Sequence, residues 1–231
     1  KAFEKGTGVK LPKAPKRKRR VSEAVGETEA TEAEDISEED LIPEEETLIT
    51  ISRDGYIKRV PLDTYRTQKR GGRGVQAANL KEEDQLAHLF VATTTHYILF
   101  FTNRGRVYRL KAYEVPQSSR TARGQHINNF IQSNSGERTT AILPIKDMSG
   151  EGYLVMATEN GEVKRTALKE FANLRSNGLI AFDIEEGDNL NWVKHTDGKQ
   201  EIMMVTANGM SIRFQEGDVP ERSRGAGGVR G

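Results

Sequence analysis

Beyond residue 46 the chain alternates short apolar runs with polar, glycine-bearing turns, and the alternation repeats. Four stretches align on a glycine: "ITISRDGYIKRVPLDTYRTQKRGGRG" on Gly55, "LFFTNRGRVYRLKAYEVPQSSRTARG" on Gly105, "VMATENGEVKRTALKEFANLRSNG" on Gly161 and "MMVTANGMSIRFQEGDVPERSRGAGG" on Gly209. Successive glycines are 50, 56 and 48 residues apart. Three residues before each stands Ser52, Thr102, Thr158 or Thr206, and four after it Arg59, Arg109, Arg165 or Arg213. Ten residues after it comes Tyr65, Val115, Phe171 or Val219, and a further glycine follows at Gly72, Gly124, Gly178 and Gly228. Each unit therefore predicts an apolar strand, a turn at S/T-x-x-G and a second strand such as "YIKRV" or "RVYRL". The runs "AHLFVATTTHYILFF", "TTAILPI" and "LNWVKH" predict further strands, while "KEEDQLAHL" and "ALKEFANL" predict one or two helical turns each. Repeats of about 50 residues built from short strands have the size of a propeller blade. The expected fold is all-β and propeller-like, with repeats near 42–86, 87–137, 138–187 and 188–231. An irregular sandwich leaves the repeat unexplained.

One position conflicts with simple alternation. Ile57, Val107 and Val163 lie two residues before Arg59, Arg109 and Arg165, which places those arginines on the apolar face. Either the strand twists or ends there, or the arginines serve the core; they rank below loop cations as ligand contacts.

Composition narrows the function. At 231 residues without cysteine, the chain has no disulfide, thiol nucleophile or cysteine zinc site. His88, His96, His126 and His195 are scattered, without metal-ligand spacing. No apolar run reaches the length of a membrane span or a signal peptide core, so a cytoplasmic protein is expected. The net charge of +1 hides segregation: residues 1–20 carry nine Lys/Arg and one acid, residues 21–46 twelve acids and no base, and the remainder a net +5. Residues 1–41 are too polar to offset their ordering entropy and read as a disordered arm, basic and then acidic. Paired carboxylates, a catalytic triad and a metal constellation are all lacking, so no active site is expected in this chain.

Cations recur after each hairpin: Arg66, Lys69, Arg70 and Arg73 in the first repeat, Arg120 and Arg123 in the second, Lys169 and Arg175 in the third, and Arg222, Arg224 and Arg230 in the fourth. Arg104, Arg106 and Lys164, in or beside the hairpins, join them as candidates. Arranged around an axis, such loops form a belt suited to a polyanion, and a curved belt suits bent duplex DNA. With Trp192 the one tryptophan and no aromatic ladder or recognition helix, binding with little sequence preference is expected.

The loop "QKRGGRG", Gln68, Lys69, Arg70, Gly71, Gly72, Arg73 and Gly74, combines three cations with glycines whose backbone can approach phosphate closely. It resembles the Gln-Arg-Arg-Gly-Gly-Lys-Gly box of DNA gyrase A subunits, with two charge-preserving departures at Lys69 and Arg73. "ISRDGYIKR", "FFTNRGRVYRLKAYEVP", "TTAILPI", "MATENGEVKRT" and "GVRG" extend the resemblance over about residues 42–231. The resemblance implies a β-pinwheel, a propeller whose blades exchange strands, of which the four repeats are expected to be part of a six-bladed disc. It implies that duplex DNA wraps around the disc, with the box clamping one end. It further implies a gyrase B partner in an A2B2 enzyme, a type II topoisomerase that introduces negative supercoils. ATP and Mg2+ belong to that whole enzyme and no cofactor to this chain; the cleavage tyrosine and the nucleotide loop lie outside it. The related C-terminal domain of topoisomerase IV, with its degraded box, and a protein-binding scaffold are the alternatives.

Overall fold

Each S/T-x-x-G sequence folds into the same hairpin turn, for a reason written in its residue types. In this computed structural model, which describes residues 38–65, 84–174 and 177–231, the carbonyls of Ser52, Thr102, Thr158 and Thr206 accept from the N–H of the glycine three residues on, at 3.0 to 3.2 Å. Their hydroxyls accept from the next N–H, of Tyr56, Arg106, Glu162 and Met210, at 3.1 to 3.3 Å. The four glycines hold φ between 71 and 89°, the left-handed region that a Cβ disfavours.

The hairpins so formed are β1 (Glu46–Ser52) with β2 (Tyr56–Pro61), β4 (Tyr97–Thr102) with β5 (Arg106–Lys111), β8 (Tyr153–Thr158) with β9 (Glu162–Ala167), and β12 (Glu201–Val205) with β13 (Ser211–Gln215). A later strand packs back on the first strand of three of these pairs: β3 (Leu86–Thr93) on β1, β7 (Thr139–Ile145) on β4 and β11 (Leu190–Thr196) on β8. The fourth strand comes from the next repeat. Two-residue strands β6 (Gln125–His126), β10 (Leu179–Ile180) and β14 (Val229–Arg230) complete the sheets, giving the orders β3-β1-β2-β6, β10-β5-β4-β7 and β11-β8-β9-β14. All pairs are antiparallel, with Ile57 opposite Gln125, Val107 opposite Leu179 and Val163 opposite Val229. The exchanged chain is locked further on, where Gly55, Gly105 and Gly161 accept through their carbonyls from Ile127, Ala181 and Gly231 at 2.7 to 2.9 Å.

The cores lie between sheets, so central strands are buried on both faces. Ile98 and Phe100 of β4 pack with Ile49, Ile51 and Ile57 of the first sheet, while Leu99 and Phe101 pack with Leu154 and Met156 of the third. Val155 of β8 turns the other way, toward Ile202, Met204 and Phe214 of the fourth hairpin. Fully burying a side chain such as Phe100 or Phe101 contributes about 1.5–3 kcal/mol. Short 3-10 turns after β5, β9 and β13 drop Val115, Phe171 and Val219 into these cores, which accounts for the apolar residue ten places after three of the four hairpin glycines; Tyr65, in the first repeat, is half-buried. Strands β3, β7 and β11 lie against one another, and the exchanged strands occupy the opposite edges of the first and third sheets. The sheets thus fan out from an inner edge to an outer rim.

Several expectations change. Residues 86–89 of "KEEDQLAHL" form the start of β3, and "ALKEFANL" supplies only a 3-10 turn at Leu168–Phe171. Sheet pairing gives 86–93, 139–145 and 190–196 to the preceding blade, so each blade ends later than the repeat read from sequence. The third strand of a blade runs directly into the next hairpin and looks like its leader. At the end of the expected arm, Glu38–Leu41 form a 3-10 turn; residues 1–37 lie outside the described residues.

Gly105 couples the hairpin to the exchange, because a Cβ there would run into the Phe182 carbonyl. Gly136 has a similar φ, 82°, but open space around it. In urea unfolding, G136A should cost about 1 kcal/mol, the backbone penalty alone, and G105A about 3 kcal/mol or more.

Candidate nucleic-acid interface

The rim is built by the loops that lead into the exchanged strands. Residues 118–124, "SSRTARG", cross to the first sheet, where Ser118 N–H donates to the Arg59 carbonyl at 2.9 Å and Arg59 N–H to the Pro116 carbonyl at 3.2 Å. Residues 222–228, "RSRGAGG", cross to the third sheet in the same way, Arg222 N–H donating to the Arg165 carbonyl at 2.9 Å. Each crossing passes a glycine in close contact with the sheet it joins. A Cβ on Gly124 would meet the Ile57 carbonyl, and one on Gly228 would lie 3.0 Å from the Val163 carbonyl.

Beneath each of these loops lies a buried lysine. Lys58, on β2, directs its ammonium to the carbonyls of Ser119 (3.4 Å), Arg120 and Ala122 (2.9 Å). Lys164, on β9, reaches those of Ser223 (3.3 Å), Arg224 (2.7 Å) and Ala226 (2.7 Å), and also Ala181 (2.7 Å). Their residue exposures are 1% and 0%. Burial lowers the proton affinity of both, and pushes Lys164 down to about 8, with Asp183 favouring the charge and Arg222 opposing it. The carbonyl ring and the face of Phe182, 4.8 Å from Nζ, take the place of water around this ammonium.

The intervening loop differs. Tyr108 occupies the equivalent place on β5, its ring 2.6 Å from where a Cβ on Gly178 would lie and its hydroxyl 3.0 Å from Glu137 Oε2. Arg106 is tied into the same group, donating to the Tyr108 hydroxyl at 3.3 Å and the Asn177 carbonyl at 2.9 Å, with Glu137 at 3.8 Å.

The expected contacts separate by their place on this frame. Arg104, Lys169, Arg222 and Arg230 are exposed, and Arg120 and Arg224 half-buried, on the hairpin tip, loops and edge strands. Arg123 lies with its guanidinium carbon 3.5 Å from the centre of the Tyr56 ring, which braces it at the rim. Lys164 is a correction: its ammonium faces carbonyls inside the protein and does not reach the surface. The box, Gln68 to Gly74, and Arg175 lie outside the described residues. Sequence reasoning missed Lys58; the signal was a lysine three residues past the hairpin glycine in the first and third repeats, inside "YIKRV" and "GEVKRT".

Three of the repeat arginines, Arg59, Arg109 and Arg165, are structural, and the fourth, Arg213, is exposed. Arg59 Nε donates to the Val115 carbonyl at 3.1 Å and Arg109 Nη1 to the Ala172 carbonyl at 3.2 Å, each in the following repeat. Arg165 covers the Tyr153 ring at 4.5 Å, and Arg213 pairs with Glu201 at 3.2 Å. Among the described residues no group of three or more His, Asp or Glu could hold a metal ion, and no helix is long and apolar enough to cross a membrane.

Blades of three local strands, each completed by a strand from the next repeat, define a strand-exchanged β-propeller, the β-pinwheel. The sequence profile of the DNA gyrase C-terminal domain, beta-propeller, matches residues 46–93, 96–145, 152–197 and 200–231, and the chain belongs to that family. It is 47% identical over 205 residues to the DNA gyrase A protein of Halalkalibacterium halodurans, covering 88% of this chain and 25% of that protein. With the gyrase A protein of Mycolicibacterium smegmatis it shares 46% over 199 residues, covering 85% of this chain and 24% of the relative. The chain thus spans about a quarter of the length of these relatives. The crystal structure of the C-terminal domain of a DNA topoisomerase IV superposes with a TM-score of 0.70 at 31% identity, over 82% of this chain and 58% of that one. A DNA gyrase A C-terminal domain structure shares the fold, with a TM-score of 0.64 at 24% identity over 81% of this chain and 60% of that one.

The lysine cage has a spectroscopic signature. In an NMR titration the Lys164 side chain should change charge near pH 8, well below the ordinary 10.5; a midpoint at or above 10.5 would show that the carbonyls outweigh burial.

Proposed function

We propose that this chain binds duplex DNA with little sequence preference and bends it around the outer rim, as the DNA-wrapping part of a gyrase A protein. The observation that carries the reading is the placement of Arg120, Arg123, Arg222, Arg224 and Arg230 on loops and strands that close the outer edges of the first and third sheets. Distributed cations of this kind suit a bent polyanion. Bending 20–30 bp by 40–90° costs on the order of 1–6 kcal/mol, so contacts from several blades are needed to offset it. The described elements are strands and 3-10 turns, without a helix to enter a groove and read bases.

Within the whole enzyme, this wrapping would set the sign of the DNA crossing presented for strand passage. Supercoiling in an A2B2 assembly, with ATP hydrolysed on the gyrase B partner, is part of the same proposal. The fold alone suits topoisomerase IV equally, given the superposition above. The nearly intact box "QKRGGRG" and the gyrase A relatives favour gyrase.

With about 8 phosphate contacts, log K for random duplex should fall with log[salt] at a slope of roughly −7; a slope shallower than about −3 would refute the belt. Changing residues 68–74 to alanine in the intact gyrase A protein should abolish the linking-number shift seen on ligating nicked circles, while duplex binding persists. An unchanged shift would remove the box from the wrap.

A further inference from the structure

The two lysine-pinned loops belong to different repeats but correspond residue for residue in their bonding. Ser119, Arg120 and Ala122 match Ser223, Arg224 and Ala226, and all six carbonyls accept from Lys58 or Lys164. Their glycines, Gly124 and Gly228, lie nineteen residues after the hairpin glycines Gly105 and Gly209. The segment that follows the Tyr108 repeat is two residues shorter, from Gly161 to Gly178, and "ANLRSNG" contains one arginine where each lysine-pinned loop contains two. Within one chain, then, the buried ammonium accompanies the longer loop and the paired arginines.

The blades do not need lysine at this place, since Tyr108 and Ile212 occupy it in the second and fourth repeats. What the lysine does is sort the polarity of the loop. Three carbonyl oxygens are drawn inward, away from where they would repel a phosphate, while Arg222 stays exposed and Arg120, Arg123 and Arg224 stay half-buried at the rim. A glycine-bearing loop without that restraint would have to be ordered by its ligand, at a cost in affinity.

We infer that Lys58 and Lys164 are positioning residues for DNA: without touching it, each fixes the rim loop of a later repeat so that Arg120 and Arg123, or Arg222 and Arg224, meet the backbone already aligned. The inference rests on the DNA-binding reading above, but its structural half can be tested without DNA.

The test uses the 231-residue chain and the substitutions Lys164→Met, Arg222→Ala with Arg224→Ala, and all three together. Amide hydrogen exchange at Ala226, which donates to the Ser223 carbonyl at 3.1 Å, should quicken at least tenfold in K164M while amides of β8 and β9 hold their protection. Affinity for random duplex should fall at least tenfold in K164M, similarly in the arginine pair, and little further in the triple variant, because the lysine acts through those arginines. A merely structural lysine would leave the affinity of the folded protein unchanged, or give a loss that adds in full to that of the arginines. Either result, or unchanged exchange at Ala226, overturns the inference. K58M, read at Ala122 and with Arg120 and Arg123, repeats the test at an independent site should K164M fail to fold. If the unaltered chain binds no duplex, the proposed function falls, and the exchange measurement alone decides whether the lysine pins the loop.

Discussion

The exchange of one short strand between successive repeats is the constraint on which the rest of this structure depends. Two residues pair with the edge of the preceding sheet, and a following N–H closes onto the hairpin glycine of that sheet. Because the donated strand is so short, its pairing alone is weak. The glycines that allow close approach, the parallel bridges from Arg59 to Gln117 and from Arg165 to Glu221, and the buried lysines share the task. Exchange also covers an edge that would otherwise present unpaired backbone groups.

The same geometry generates the surface on which function depends. To reach the preceding sheet, each repeat must send a loop across the rim. Cations on that loop therefore recur from blade to blade, far from the inner strands. Cations far apart in the sequence, Arg120 and Arg123 in one repeat and Arg222 and Arg224 in another, take equivalent places on these crossings. The arginines that support the blades instead point across repeat boundaries to carbonyls or lie over tyrosine rings. Position along the repeat, more than residue type, separates the two roles.

Much of the blade was legible in sequence because its determinants are local. The Ser or Thr, the glycine and the apolar residue ten places later each have a single structural job that recurs along the chain. The exchange was not legible, since nothing in "QH", "LI" or "VR" distinguishes a two-residue strand from loop. Lys164 was misread for a related reason. Blades stacked on both sides bury both faces of a strand, so a charged residue between apolar neighbours does not have to point to solvent, and only the carbonyl cage shows where its ammonium goes. The loop register also sharpens: the nineteen-residue spacing from Gly105 to Gly124 and from Gly209 to Gly228, counted from Gly55, falls on Gly74 rather than Gly72. On that count Gln68 to Gly74 aligns in full with "SSRTARG" and "RSRGAGG", and the box is the most basic of the three aligned segments.

The central claim is that DNA follows the outer rim across successive blades. The absence of cysteine from the chain makes it directly testable by single-cysteine crosslinking to duplex carrying thiol-reactive phosphates. Cysteines at Thr121, Lys169 and Ser223, all exposed on rim segments of successive repeats, should each crosslink, and one at the exposed Lys194 of the inner strand β11 should not. Crosslinking at Lys194 with none at the three rim positions would contradict the account.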